Sequence, residues 1–215
     1  MLIKNEIYPN NTQIGIWRID ETPDYFLNRM NITEGSLVKI AKMNERRKTE
    51  WLAARHLLQQ MMGDHIFCYS DEFGKPVFQD NNRHLSISHS RGLATVVVSD
   101  RLTGVDIQEI TPKIKRIAHK FMRAEEAESL NDVNSLQHLH IYWGAKEALY
   151  KAYGRRGLDF RRHILVEPFC YLPAKNSERT KGKTTGKVVK GDYNMTFDIY
   201  FEEIENHYLV FVEAI

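Results

Sequence analysis

Cysteine is scarce. Cys68 and Cys170 are the only two in 215 residues, too few for a disulfide framework. Six prolines and twelve glycines are too few for a collagenous or low-complexity chain. No apolar run approaches the roughly 20 residues that cross a bilayer. The opening Met-Leu-Ile-Lys-Asn-Glu lacks the apolar stretch of a secretory signal, so a soluble cytoplasmic protein is expected, with no membrane partner. An excess of one charge is missing too. Thirty Lys plus Arg against 28 Asp plus Glu leave +2, a balance that says nothing strong about nucleic acid, so any basic partner surface must be local; no nucleic acid partner is expected. Neither a Gly-x-Ser-x-Gly nucleophile elbow nor a Walker loop occurs. What remains is an ordinary globular composition, 42% apolar and 27% charged, with room for one or two compact units.

Residues 13–19 are β-rich and 33–43 weakly helical. Asn44 can cap a helix over 45–62 that Gly63 stops, with Trp51, Leu52, Ala54, Leu58, Met61 and Met62 as its apolar stripe. Strands are expected at 65–70, 84–88, 93–99 and 103–108, and the unbroken apolar run from Leu93 to Val98 suits burial on both faces. Beyond Pro112, the spacing of Ile114, Ile117, Ala118 and Phe121 predicts an amphipathic helix with Lys113, Lys115, Arg116 and Lys120 outside. Further helices are expected over 123–130 and 136–153, the second ended by Gly154. Strands follow at 164–170, 186–190, 194–204 and 207–214. The basic stretch 174–190 reads as a solvated loop or hairpin end. Each half holds strands plus one long helix, an α+β pattern.

Four clusters can carry chemistry. On a strand through Gly104-Val105-Asp106-Ile107-Gln108, Asp106 and Gln108 share one face and offer oxygens to a hard cation. On a helix, Trp143, Glu147 and Lys151 recur at i, i+4 and i+8. Glu147 with Lys151 can equally be a surface ion pair. Ser86-Ile87-Ser88-His89-Ser90 supplies hydroxyls and an imidazole suited to phosphate, or a structural histidine. Phe73-Gly74-Lys75-Pro76 fixes a lysine on a turn. The helix with Arg46, Arg47, Lys48 and Arg55 adds a charged face or an anion clamp.

Taken together, Gly-Lys-Pro at 74–76, Ser-Ile-Ser-His-Ser, Gly-Val-Asp-Ile, Phe121 with Glu125, and Trp143-x-x-Lys146-Glu147-Ala148 resemble the 4′-phosphopantetheinyl transferases, in particular the single-chain type that activates surfactin synthetase. The resemblance spans about 45–151. It implies two similar α+β subdomains, 1–105 and 106–215, related by a pseudo-twofold axis in a monomer, with coenzyme A between them. It implies a Mg²⁺-dependent transfer of the 4′-phosphopantetheine arm to a serine of an apo acyl or peptidyl carrier protein, releasing 3′,5′-ADP. Asp106, Gln108 and Glu147 would hold the metal, with Gln108 standing where many members have Glu. Lys75, Pro76, Ser88, His89, Asp106 and Lys151 would line the coenzyme site. Arg47 and Arg55 would take its nucleotide end, with Arg46 able to exchange roles with Arg47. Glu147 would be the base, directly or through a water, and Lys151 would stabilise the leaving phosphate. The basic helix 113–121 is a plausible dock for an acidic carrier. The competing reading is a non-catalytic coenzyme A or carrier-binding module of the same fold, supported by Gln108. A third is a metal-dependent phosphohydrolase.

Overall fold

The computed structural model describes residues 1–79, 82–130, 133–171 and 180–215. The chain opens with a hairpin, β1 (Leu2–Tyr8) and β2 (Thr12–Arg18), then helices α1 (Pro23–Leu27), α2 (Glu34–Ala41) and α3 (Glu45–Met62). A short pair, β3 (Cys68–Ser70) and β4 (Pro76–Phe78), precedes β5 (His84–Ser90) and β6 (Leu93–Ser99). β1-β2-β6-β5 form one antiparallel sheet. The ends of α3 follow from its sequence. Asn44 Oδ1 accepts the Arg47 N–H at 2.9 Å, and Gly63 ends the helix at a φ of +107°. Leu52, Ala53, Ala54, Leu57 and Leu58 of α3 pack on Ala94, Val96 and Val98.

β7 (Thr103–Glu109) starts the second sheet. It is followed by α4 (Ile114–Phe121), α5 (Ala124–Glu128), α6 (Ser135–Tyr153), β8 (Ile164–Val166), β9 (Lys181–Lys190), β10 (Tyr193–Ile204) and β11 (His207–Ala214). The sheet runs β7-β11-β10-β9-β8, all antiparallel. Ile141, Ala145, Ala148, Leu149 and Ala152 turn one face of α6 onto Val210, Val212, Val188 and Ile199. Gly154, in the left-handed region at φ +71°, ends α6.

The two sheets share a core. Ile14, Ile16, Leu93 and Val97 of the first pack with Val105, Ile107, Leu209 and Phe211 of the second. Each long helix lies on the other face of its own sheet, giving an α+β stack. The serines of β5 sew the sheets together. Ser86, Ser88 and Ser90 Oγ accept the backbone N–H groups of Val105, Ile107 and Glu109 at 3.1, 3.3 and 3.2 Å. Buried Glu213 accepts the hydroxyls of Thr12 and Ser99, and buried Lys4 of β1 pairs with Glu202 of β10. A division at 105/106 falls inside β7, which pairs with β11 along its whole length.

β1, α1 and β4 had no counterpart in the expected elements, and the strand expected over 164–170 ends at Val166. The basic stretch differs most. Residues 174–179 lie outside the described ones, but 181–190 is strand and not loop. β10 pairs with it over ten residues and outweighs its poor strand propensity. Gly182 and Gly186 are needed there because Phe201 and Ile199 lie over them. No described helix is long and apolar enough to cross a membrane.

Candidate active site

Strand alternation turns Val105 and Ile107 into the shared core, so Asp106 and Gln108 face α6. The approach is close because Gly104 has no side chain. A Cβ there would stand 2.0 Å from the Ala148 carbonyl oxygen. Asp106, 7% exposed, accepts from Lys151 Nζ at 2.9 Å and from Ser88 Oγ at 3.0 Å, both on Oδ1. Lys151 Nζ also donates to Ser88 Oγ and to the Val105 carbonyl, each at 2.9 Å, which uses all three of its protons. Of the two pairings open to it, Lys151 is therefore seen with Asp106 and not as a surface pair with Glu147.

Glu147 lies one helical turn before Lys151 and is half-buried. Its carboxyl is pushed above the ordinary range, first by burial and then by the Asp106 carboxylate, with Lys151 opposing. The Asp106 carboxylate is thus near enough to act on that of Glu147, with Lys151 paired to the first and acting on the second. Hard oxygen donors with surplus negative charge fit a divalent cation such as Mg²⁺, which typically takes one or two carboxylates plus substrate phosphates. No group of three or more His, Cys, Asp or Glu converges anywhere among the described residues, so Asp106 and Glu147 would supply two ligands and the rest would come from substrate and water.

Gln108 is differently placed. Its Nε2 donates to the His140 carbonyl at 2.8 Å and its Oε1 meets His140 Nδ1 at 3.0 Å, so both ends of the amide are engaged by α6. His140 Nε2 accepts the Thr111 N–H at 2.9 Å. Gly144 makes room, since a Cβ there would come within 2.8 Å of Gln108 Nε2.

His89 follows Ser88 and points to α3, where its Nδ1 lies 3.3 Å from Glu50 Oε2. Burial holds its pKa down. Glu50 opposes this, while Lys151, Arg55 and Arg46 reinforce it. Arg46 reaches the same Glu50 at 3.1 Å. Arg47 is exposed, and its side chain makes no bond among the described residues. Arg55 stacks on Trp51, 3.9 Å from the ring centre, in a hollow beside Cys68, with its Nε buried and unpartnered. The structure therefore gathers Ser88, Asp106, Glu147 and Lys151 tightly, sets His89 and Arg46 at the edge, and puts Arg55 in a neighbouring hollow.

A cavity of about 210 Å³ adjoins Lys151. One wall is the turn Phe73-Gly74-Lys75-Pro76, where Asp71 Oδ1 accepts the N–H groups of Phe73 and Lys75 and Gly74 takes φ +91°. Lys75 crosses to α6, donating from Nζ to the Ala152 carbonyl at 2.9 Å, and burial lowers its pKa. The other wall, Tyr150, Arg155 and Arg156, was not anticipated. The signal available was the pair of arginines next to the helix-ending Gly154.

Farther out, α4 buries Ile114 and Phe121 and leaves Lys113, Lys115, Arg116 and Lys120 exposed. Glu125 is also at the surface, beside Arg123. The buried acid is the next residue, Glu126, which is paired at 2.7 Å with the fully buried Lys146. Lys146 also donates to the carbonyls of Phe121, Phe160 and Ile164, anchoring α6 just before Glu147.

Residues 103–196 match the model of the 4′-phosphopantetheinyl transferase superfamily. The chain is 32% identical over 108 residues to a protein of Bacillus pumilus named 4′-phosphopantetheinyl transferase psf-1, covering 47% of this chain and 46% of that one. It is 26% identical over 164 residues to 4′-phosphopantetheinyl transferase gsp of Aneurinibacillus migulanus, covering 74% of this chain and 63% of that one. The chain thus spans about half to three-fifths of the curated relatives it matches. The resemblance carried by the motifs holds, and the superfamily match takes in β7, α4 and α6.

Proposed function

We propose, on the premise that residues 103–196 are those of a 4′-phosphopantetheinyl transferase, that this protein transfers the 4′-phosphopantetheine arm of coenzyme A to a serine of an apo acyl or peptidyl carrier protein and releases 3′,5′-ADP. The observation that carries the reading is the nearness of Asp106 and Glu147 to one another and to Lys151, which also lines the cavity under the Lys75 turn.

Phosphoryl transfer is mostly positioning and charge neutralisation. Mg²⁺, held by Asp106 and Glu147, would neutralise the coenzyme A diphosphate and polarise the bond to be broken. Glu147 takes the proton of the carrier serine hydroxyl on its carboxylate. A carboxyl of raised pKa is a better base than an ordinary one. The serine oxygen bonds to the phosphorus bearing the pantetheine, and the bridging P–O bond breaks toward 3′,5′-ADP. Lys151, fixed by Asp106, Ser88 and Val105, lends positive charge to the oxygen that leaves. Gln108 acts as a strut on His140 and not as a third ligand. The nucleophile comes from the partner, so none is needed inside the chain. The exposed basic face of α4 would receive an acidic carrier by charge complementarity, with the protein acting as a cytoplasmic monomer.

The test is incubation with coenzyme A, Mg²⁺ and a panel of apo carriers, read by mass spectrometry for the gain of one phosphopantetheine. Asp106→Ala and Glu147→Ala should each slow transfer by about 10²-fold or more while the protein stays folded. Coenzyme A bound without transfer to any carrier would favour a binding module. Coenzyme A cleaved without a carrier would favour a phosphohydrolase.

A further inference from the structure

The chain as a whole carries only +2, yet cations crowd the connection between α6 and β8. Arg155, Arg156, Arg161 and Arg162 fall within eight residues, with Asp159 the one acid among them. All four are exposed, and their side chains make no hydrogen bond or ion pair among the described residues. Other surface arginines are answered by carboxylates: Arg18 by Glu205, Arg46 by Glu50 and Arg91 by Glu109. Asp159 forms no ion pair with the four; its Oδ1 accepts the backbone N–H groups of Arg161 and Arg162 at 2.9 and 2.8 Å. The backbone beneath the arginines is held at several points. Lys146 Nζ donates to the Phe160 carbonyl at 3.0 Å, Arg123 Nη1 to the Arg161 carbonyl at 2.7 Å and Lys190 Nζ to the Gly157 carbonyl at 2.8 Å. The connection therefore needs little ordering before it can bind. Arg161 and Arg162 join Arg123 around an open hollow of about 580 Å³. Arg123 stands two residues beyond Phe121, so this hollow adjoins the end of α4.

We infer that Arg161 and Arg162 form a second docking surface, apart from α4, that takes carboxylates of the protein substrate. This rests on the transferase reading above. Positive charge spread along a loop and open to water fits several carboxylates of a protein surface better than one enclosed anion. Arginine forks hold a carboxylate by two hydrogen bonds, which the lysines of α4 do not offer. Nucleic acid is the other polyanion of that breadth. A single strand is bound through exposed aromatic rings as well as charge. Phe160, the one aromatic of the stretch, is turned inward instead, its ring centre 5.6 Å from that of Trp143 and 5.8 Å from that of Tyr150. The place also suits the reaction, because α6 carries Glu147 and Lys151 and runs directly into this connection.

The experiment measures binding and transfer separately. Binding is read by calorimetry with the full chain and the apo carrier loaded fastest in the panel above, its acceptor serine replaced by alanine so that no turnover occurs. Arg161→Glu/Arg162→Glu should weaken this binding about 10-fold or more, through the loss of two charge pairs and the repulsion put in their place. Arg161→Lys/Arg162→Lys should keep part of it. In transfer assays the reversed variant should raise KM for the carrier by a similar factor and leave KM for coenzyme A unchanged. Arg29→Glu/Lys42→Glu makes the same change of net charge at exposed places in the first half of the chain and should bind the carrier as the wild type does. Both double variants alter exposed side chains and should unfold at the wild-type midpoint. Carrier binding that ignores the reversal of Arg161 and Arg162 overturns the dock. So does an equal loss in the Arg29/Lys42 control, and so does an equal rise of both KM values. Labelled single- and double-stranded oligonucleotides complete the comparison: binding of either that vanishes in the reversed variant, with carrier affinity intact, assigns the arginines to nucleic acid and overturns the dock. The transferase reading survives each of these results. It fails instead if no carrier of the panel gains phosphopantetheine, and the dock then falls with it.

Discussion

The most demanding consequence concerns a residue with no side chain. Gly104 sits in β7 two residues before Asp106, and α6 runs across it. A methyl group there would stand 2.0 Å from the Ala148 carbonyl oxygen and 2.8 Å from the Ala152 nitrogen. The first is closer by 1.4 Å than the 3.4 Å at which ordinary contact begins. Both obstacles are backbone, so no rotamer change relieves them. Strand and helix must separate in Gly104→Ala. Overpacking of this kind costs about 3 kcal/mol, the upper part of the usual range, or about 6–12 °C in the unfolding midpoint for a chain of this size. The site should suffer beyond the loss of stability. The Lys151–Asp106 contact of 2.9 Å spans the interface that opens, and a displacement of about 1 Å costs transfer roughly 10²-fold. Differential scanning calorimetry and carrier loading at 15 °C below the variant's midpoint separate the two effects. Gly35→Ala is the control: its Cβ would meet nothing within 4 Å on helix α2, so it should be neutral or slightly stabilising. A Gly104→Ala protein with wild-type midpoint and wild-type turnover would refute the claim that strand–helix contact sets the site.

The serines of β5 should separate stability from function. Ser86→Ala and Ser88→Ala each orphan a buried backbone N–H of β7 and should each cost about 1–3 kcal/mol in chemical denaturation. Ser88→Ala alone also removes a partner of Asp106 and Lys151 and should slow transfer; equal losses of turnover in both would contradict this. Glu147, whose folded pKa is raised, contributes stability that is full below its unfolded pKa near 4.5 and is lost as pH rises through the folded value. The difference in midpoint between wild type and Glu147→Gln should therefore shift against the wild type above about pH 4.5, and Mg²⁺ with coenzyme A should reverse the shift; a flat difference would place Glu147 in ordinary surroundings. Gln108→Glu should lower the midpoint, because a carboxylate oxygen would replace the amide that donates to the His140 carbonyl; an unchanged midpoint would show the strut to be dispensable.

What the sequence disclosed and what it hid follow from how local each cause is. The caps of α3, the apolar run of β6, the stripe of α6 and the facing of Asp106 and Gln108 all depend on neighbours within a few residues, and periodicity reveals them. β1 left no such mark. Its one buried residue is Lys4, tolerated inside because Glu202 waits for it 198 residues away. Ser86, Ser88 and Ser90 invited a reading as phosphate ligands, yet their oxygens hold the N–H groups of a strand 19 residues on. Lys75 invited the same reading, but its ammonium bolts the 71–76 turn to the end of α6. Glu125 fits the motif spacing, whereas packing selects Glu126, because only that residue reaches Lys146. In each of these cases the residue type was informative and the partner was not, since the partner depends on how the two sheets meet.

The neutral residue at 108 gains its sense from that meeting. With the proton on Nδ1, Nδ1–H donates to Gln108 Oε1 and Nε2 accepts the Thr111 N–H, while the Thr111 carbonyl, 3.0 Å from Nε2, would be met only by the other tautomer. Burial favours this uncharged imidazole. An amide can complete the arrangement because it donates at one end and accepts at the other, whereas a carboxylate would set oxygen against oxygen at the His140 carbonyl, 2.8 Å away. With Gln there, Asp106, Glu147 and Lys151 together carry one net negative charge, where an acid at 108 would make it two. Attraction for a bare divalent ion is correspondingly weaker, and the substrate diphosphate becomes the larger source of negative charge. The same strut ties the end of β7 to Thr111, just ahead of the basic helix α4, so the strand that positions Asp106 and the start of that helix are joined through His140.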